Sequence, residues 1–351
     1  MLNKNHRVLW LLNHETLREF EVPLLRKLGY EVYLPKHFPE TEANLSASID
    51  YSYDPSLTIP VKALEILNRH DFYSKKIPQE VANIINRYFS AAIFAFFPFL
   101  FEQLVDVFMG KLFFRCFGLA GGATYSRLSH AEYFSSDFPE RILSVKERFF
   151  FAQSYPFLSE VEEGIMRERA LTLPLGFPDS FWKAQDSWKG GNSKLLFVCP
   201  RINSSPYYKN IYTNFKNCFS DSKHVIAGKQ LEAVEDPFVC GSLPRKEYDE
   251  LLQHSEVMFY HLEAAMFGLP LIYMSGGMLN RFTDIKLPGS ADTYEEARKK
   301  VQRILAKDEE FIKEVVCSQR SLLDSFQQRY CEEMWQKNFC NVLEEKYAVS
   351  T

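Results

Sequence analysis

Between residues 238 and 274 the chain alternates short apolar runs with stretches of helical spacing, and this alternation limits the fold more than any other feature. The run FVCG (238–241) ends in glycine, 244–252 has amphipathic helical spacing, and VMFY (257–260) is a second apolar run. A short helical stretch (261–268) then leads to a third run, LIYM (271–274). Runs this short, apolar throughout and punctuated by glycine or proline, suit strands buried on both faces, and the connections have the length of crossover helices. The reading is strand, helix, strand, helix, strand in a parallel sheet, where ligands bind beyond the carboxyl ends of the strands. Glu263 falls just past one such end, in the first turn of a helix. A carboxylate there can accept two hydrogen bonds from a diol such as a ribose, and the helix N-terminus beside it favours an anion such as a diphosphate.

The stretch EAAMFGLPLI, from Glu263 to Ile272, resembles the E-A-x-x-x-G-x-P-V/I signature of GT-B glycosyltransferases. The motif is short, although the pattern of elements extends the resemblance over most of the chain. It implies an α/β fold with two Rossmann-like domains facing a central cleft, and a glutamate that binds the ribose of a nucleotide sugar. Many retaining members carry a second glutamate eight positions before the first. Here Ser255 holds that position and Glu256 is the nearest carboxylate, so this sequence departs from the usual retaining site. The segment 260–263 is also short for such a family. Stereochemistry therefore stays open.

From the N-terminus, 7–12 reads as an apolar strand and 17–28 as a helix with Gly29 as its C-cap. Residues 30–34 read as a second strand. This is a βαβ unit without G-x-G-x-x-G, so no dinucleotide is expected. The resemblance turns the loop after the first strand toward the acceptor. Asn13 is then an acceptor-binding candidate, and His14 and Glu15 are candidate bases for deprotonating an acceptor hydroxyl. The alternative for His14 is a loop histidine capping a helix. Residues 37–60 read as an irregular surface excursion, 61–67 and 79–89 as helices, 93–97 as a strand, 101–109 as a helix and 111–117 as a strand. In the loop that follows, Gly121 and Gly122 permit close backbone approach and are acceptor-binding candidates; a plain tight turn is the alternative. Residues 148–154 read as the last strand of this sheet and 155–169 as a helix. The segment LTLPLGFP (171–178) resembles the end of the N-terminal domain of GT-B enzymes.

Residues 194–199 open the second domain as a strand. Just beyond it stand Arg201 and Lys209, which match the basic positions that hold the donor diphosphate in GT-B enzymes. A guanidinium supplies fixed charge and paired donors, which a diphosphate needs. Solvated surface charges are the plain alternative. Residues 211–219 read as a helix and 224–227 as a strand whose terminal loop carries Lys229, a further phosphate-binding candidate. Gly228 and Lys229 lack the spacing of a Walker motif. The resemblance places Gly241 beside the nucleotide base and Gly276 and Gly277 in a loop that closes on the donor, where paired glycines expose backbone N–H groups. His261 beside Glu263 completes the donor-side candidates. Residues 294–305, 308–326 and 330–347 read as helices. The domain reading is an N-terminal acceptor domain (1–178), a linker (179–193) and a nucleotide-sugar domain (194–330); the resemblance implies that a C-terminal helix (331–351) crosses back to the N-terminal domain with Trp335 and Phe339 as anchors, and ordinary terminal helices within the second domain are the alternative.

Composition narrows the partners. With 351 residues the chain has room for two domains, and a net charge of −4 gives no footprint for nucleic acid. The 7 cysteines lack C-x-x-C spacing, which points to free thiols in a reducing compartment and no metal site. The first seven residues are polar and 8–12 is too short for a signal peptide. The stretch AAIFAFFPFL (91–100) is too short to span a bilayer, so a cytoplasmic location is expected, with peripheral membrane contact left open. No D-x-D marks a strand end. The resemblance implies a metal-independent transfer, without a cofactor, from a nucleotide-diphosphate sugar to a glycan or lipid-linked glycan, as in polysaccharide biosynthesis. Two alternatives stand beside it. One is a nucleotide-sugar epimerase or hydrolase of the same fold, and the other a non-catalytic glycan- or partner-binding protein.

Overall fold

In the computed structural model the described residues are 6–12, 15–36, 57–95, 98–116, 138–155, 157, 163–283 and 285–344. The chain divides into two compact units, Met1–Gly176 with Gln328–Thr351, and Phe177–Gln327. Each is built on a parallel six-stranded sheet with helical crossovers.

In unit 1 the strands are β1 (Arg7–Leu11), β2 (Glu31–Tyr33), β3 (Ala91–Phe94), β4 (Lys111–Cys116), β5 (Phe149–Gln153) and β6 (Ala170–Thr172), in the order β2-β1-β3-β4-β5-β6. The apolar runs are continuous because both faces of the sheet are covered. Leu9 and Leu11 of β1 enter one core, whereas Val8 and Trp10 enter the other. The helix Glu15–Lys27 ends as expected at Gly29, whose φ is +90°. Gly29 N donates to Arg26 O and Tyr30 N to Leu25 O, both at 3.0 Å, which is a Schellman cap.

The second core of unit 1 contains a buried charge pair. Arg115, in β4, and Glu21, on Glu15–Lys27, are both 0 % exposed. Arg115 Nε donates to Glu21 Oε1 at 3.0 Å, and Trp10 Nε1 donates to Oε2 at 2.9 Å. Arg115 Nη1 donates to Ala152 O at 3.1 Å and Leu173 O at 2.7 Å, tying β4 to β5 and to the segment beyond β6. The helix Gln328–Trp335 lies in this unit. Trp335 and Phe339 are fully buried in the same core, and Trp335 Nε1 donates to Pro174 O at 3.0 Å.

Several expectations for unit 1 are corrected. β5 is not the last strand, since β6 pairs with it at the edge through Phe151↔Ala170. A half-exposed Ala-Leu-Thr edge has little apolar signal to read. Of the expected helix 155–169, the described part contains only Gly164–Glu168 as a continuous element. The C-terminal helix is not uniform: a π-turn, Gln336–Cys340, separates Gln328–Trp335 from Asn341–Glu344. Residues 37–56 of the expected excursion lie outside the described residues. Among the described residues no helix is long and apolar enough to cross a membrane.

In unit 2 the strands are β7 (Leu195–Val198), β8 (His224–Ala227), β9 (Val239–Gly241), β10 (Val257–Phe259), β11 (Leu271–Met274) and β12 (Ser290–Ala291), in the order β12-β11-β10-β7-β8-β9. The two-residue β12 was not read from sequence, and 320–326 is a 3-10 helix rather than α-helix. The stretch 179–193 belongs to this unit. It contains the helix Asp179–Lys183, and Trp188 Nε1 donates to Ser255 O at 2.7 Å. The order in which strands are added reverses between β7 and β10, which makes their carboxyl ends the switch point where an open parallel sheet receives ligands.

At the opposite, amino end of β8, His224 is buried. Its Nδ1 lies 2.8 Å from Ser222 O, and Lys216 Nζ lies 3.1 Å from its Nε2. Lys216 also pairs with Asp236 at 2.9 Å. The ring therefore carries its proton on Nδ1 and accepts from the lysine. Burial holds its pKa below the ordinary value, and the Lys216 charge adds to this. The folded state thus binds fewer protons than the unfolded one, so this contribution is present above about pH 6.5 and is lost as pH falls through the folded pKa. Urea midpoints of the wild type should decline between pH 7 and pH 5, and the decline should be shallower in His224→Gln.

Candidate functional site

The site is built at the carboxyl ends of β10 and β7. After Phe259 the chain turns at Tyr260, whose φ is +81° although it is not glycine. Its amide still donates to Ile272 O at 2.9 Å, so the turn begins while the ladder to β11 is intact. His261 and Leu262 follow, and Glu263 opens the helix Glu263–Phe267. That helix has only 5 residues. It closes at Gly268, φ +75°, where Gly268 N reaches Ala265 O at 3.4 Å and Leu269 N reaches Ala264 O at 2.9 Å. Gly268 therefore allows the reversal that sends the chain directly into β11. The buried Gln319 holds the passage around Pro270, donating to Leu269 O and accepting from Leu271 N, both at 2.9 Å.

The Glu263 carboxylate is mostly buried, with 17 % of its side chain exposed. Tyr248, on the helix Arg245–His254, donates its hydroxyl to Glu263 Oε2 at 2.7 Å. His261 Nδ1 stands 2.6 Å from the same oxygen, an ion-pair contact rather than a linear hydrogen bond. Both contacts fall on Oε2; among the described residues Oε1 has no partner. Burial pushes the Glu263 pKa up, but the charge of His261, its contact, the Tyr248 hydroxyl and Arg245 together hold it below the ordinary carboxylate value. Burial opposes the imidazolium of His261, and Glu263 outweighs it, so the His261 pKa is raised. Carboxylate and imidazolium thus stabilise each other as charged forms. Arg245 lies across the Phe181 ring at 3.8 Å.

At the end of β7, Arg201 has a φ of +54°. A left-handed backbone at a non-glycine residue costs about 1–3 kcal/mol and persists where the surroundings enforce it, commonly at functional sites. Here the enforcing contacts are visible. Arg201 N donates to Lys229 O at 3.1 Å. Gln230, which the sequence reading missed, clamps the two loops together. Its Nε2 donates to Cys199 O and Gly228 O, both at 2.8 Å, and its Oε1 accepts from Ile202 N at 2.9 Å. The Arg201 guanidinium lies 5.0 Å from the centre of the Tyr208 ring. The hydroxyls of Tyr207 and Tyr260 meet at 3.1 Å and join the loops after β7 and β10.

The candidates are thus sorted by the fold. Arg201, Lys229 and His261 lie in loops at the carboxyl ends of β7, β8 and β10, and Glu263 begins the helix after the β10 loop. Gly241 ends β9, and Gly228 N donates to its carbonyl at 2.9 Å, beside the β8 loop. Gly276 and Gly277 follow β11, and a Cβ on Gly277 would stand 3.4 Å from the Tyr260 ring. Lys209 is exposed in the first turn of the helix Pro206–Phe219. Glu256 and Ser255 sit at the amino end of β10. Glu256 is buried there, ion-paired with Lys307 and accepting from Gly191 N at 2.7 Å, so it holds the 190–194 segment and has no place at the site. On unit 1, Asn13, His14, Gly121 and Gly122 lie outside the described residues, and Glu15 begins its helix with an undescribed side chain.

No protein-family model matches the sequence, and no curated protein matches it. Solved structures do match. A glycosyltransferase from Rickettsia africae ESF-5 aligns with a TM-score of 0.59 and 9% identity, over 98% of this chain and 99% of that one. Sucrose-phosphate synthase from Thermosynechococcus elongatus aligns at 0.55 and 11% identity, over 98% and 100%. T4 phage BGT, in a structure with UDP and Mn2+, aligns at 0.50 and 10% identity, over 96% and 99%. At such identities the likeness is one of fold, and that fold is GT-B.

Proposed function

We propose that the protein is a glycosyltransferase that takes its sugar from a nucleotide-diphosphate donor, with the donor seated at the carboxyl ends of β7 and β10. The observation that carries this reading is Glu263, a carboxylate held charged at the switch point with one oxygen turned from its protein partners. Glu263 binds the ribose. Arg201, on a backbone held in place by Lys229 and Gln230, faces the diphosphate, with Lys229 and Lys209 adding charge. These fixed cations stabilise the leaving nucleoside diphosphate as negative charge develops on it, and this chemistry needs no metal ion. The acceptor is a glycan or lipid-linked glycan, and a base from unit 1, His14 or Glu15, accepts its proton if the reaction inverts. The His261–Glu263 contact at 2.6 Å supports a second reading, hydrolysis or epimerisation of the same donor.

Thermal unfolding with UDP, ADP, GDP and their sugar conjugates tests the donor site. A ligand at about a hundred times its dissociation constant stabilises by about 2.7 kcal/mol. One nucleotide series should shift the transition, and sugar release from that conjugate should depend on an added acceptor. Release that ignores the acceptor points to the hydrolase. No shift with any nucleotide would replace the enzyme reading with that of a binding protein.

A further inference from the structure

A carboxylate that holds a ribose stands close to the diphosphate the ribose carries, and two anions at close quarters repel each other. We infer that His261 is the counter-charge of the donor site: as an imidazolium it offsets the charge of Glu263, so that binding of a nucleotide-diphosphate sugar is coupled to a proton on this ring. The inference rests on the donor reading above and specifies how that site tolerates its own carboxylate.

The groups around Glu263 leave this task to one residue. His261 Nδ1 stands 2.6 Å from Glu263 Oε2, within ion-pair distance. From the helix Arg245–His254, Tyr248 donates its hydroxyl to the same oxygen, and burial and the carboxylate keep that hydroxyl protonated and neutral. Arg245, on the same helix, also favours the charged carboxylate, but its guanidinium is paired with Asp249 at 2.7 Å and lies across the Phe181 ring. Asp186 N donates to Met266 O at the far end of the helix Glu263–Phe267, and there Asp186 and Arg320 are paired with each other at 3.0 Å. The loops after β7 and β11 meet the turn at Tyr260 through Tyr207 and Gly277. Glu263 is the charge that acts on the His261 ring: burial opposes the imidazolium, Glu263 outweighs burial, and the ring keeps its proton to a higher pH than an ordinary histidine. With 43 % of its side chain exposed, His261 exchanges that proton with solvent. Once the proton leaves, the Glu263 charge faces a bound diphosphate uncompensated, and juxtaposed like charges cost affinity. Conversely, a bound diphosphate stabilises the imidazolium further, so by linkage it binds more tightly to the protonated ring. His261 acts through Glu263 and is a positioning residue.

The experiment titrates the full chain with UDP-glucose, ADP-glucose and GDP-glucose between about pH 5.5 and pH 8.5, where the diphosphate diester of these conjugates keeps its charge. For the conjugate that binds, affinity should be level below about pH 6.5, the ordinary value for histidine, because the raised pKa keeps the ring protonated there. Above it, affinity should fall about three- to tenfold as the ring loses its proton, the size of one partly screened charge interaction. His261→Gln should bind with the wild type's high-pH affinity throughout and show no fall. In Glu263→Gln the ring lacks the charge that raised its pKa, so the fall that remains should move to lower pH. A conjugate that binds the wild type with the same affinity at every pH would overturn the counter-charge and leave the donor reading standing. A fall that persists in His261→Gln would assign the proton to another group, with the same consequence. A fall that Glu263→Gln does not move would show that the ring acts without the carboxylate, which would overturn the pairing proposed. Absence of binding for all three conjugates to the wild type would overturn the donor reading and this inference with it. The wild-type profile and His261→Gln decide the point even if Glu263→Gln fails to fold.

Discussion

Replacing Arg115 with methionine is expected to destabilise unit 1 by about 3–5 kcal/mol, because it leaves the Glu21 carboxyl group buried and without its cation. Arg115 and Glu21 are both fully buried, and Arg115 also holds the carbonyls of Ala152 and Leu173. The cost comes from breaking the pair rather than from the loss of its net contribution, which desolvation largely offsets. The double variant Arg115→Met/Glu21→Leu should therefore recover most of the stability lost in the single one. Urea unfolding with hydrogen exchange at the 111–116 and 149–153 amides reads this out within unit 1. A single variant as stable as the wild type, or a double variant no better than the single, would show that the pair is not the constraint described.

Glu263→Ala should lower affinity for the donor nucleotide by about 10- to 150-fold, the range of a charge-assisted hydrogen bond of about 1.5–3 kcal/mol. The fold should survive. Glu263 begins a short helix whose buried residues, Ala264 to Phe267, are untouched by the change. Tyr248 and His261 lose a partner, but His261 retains 43 % of its side chain in solvent and is readily hydrated. Calorimetric titration with the nucleotide that stabilises the wild type gives the ratio. An unchanged dissociation constant would mean that the switch point does not hold the ribose.

The two results concern different kinds of information. Glu263 was legible because its signal is local. Helix start, Gly268 reversal, Pro270 and the next buried run all lie within ten residues, and each follows from backbone preferences acting at short range. Arg201 was legible for a similar reason, standing just past a short apolar run that could only be a buried strand. By contrast, Tyr248 looked like one more residue on an amphipathic helix. It became the partner of Glu263 only when the crossover between β9 and β10 brought that helix over the strand end. Gln230 was likewise invisible, because its three partners belong to two loops that meet only when β7 pairs with β8.

The same distinction applies to the fold. Continuous apolar runs with glycine-terminated helices determined the α/β class and most of the strands, since burial on both faces removes the need for polar alternation. They could not reveal β6 or β12, where a two- or three-residue edge carries almost no hydrophobic pattern. Glu256 had the right chemistry one position from an expected catalytic carboxylate, yet strand direction places it at the amino end of β10, where it secures the 190–194 segment. Arg115, inside the apolar run 111–117, is the centre of a buried network spanning 94 positions to Glu21. The sequence by itself determined most of the strands and that Glu263 stands just past the end of one, because those depend on neighbours a few bonds away. Only the tertiary structure decided which side chains share a buried charge and which ones meet the Glu263 carboxylate, because those depend on long-range pairing that local preference does not encode.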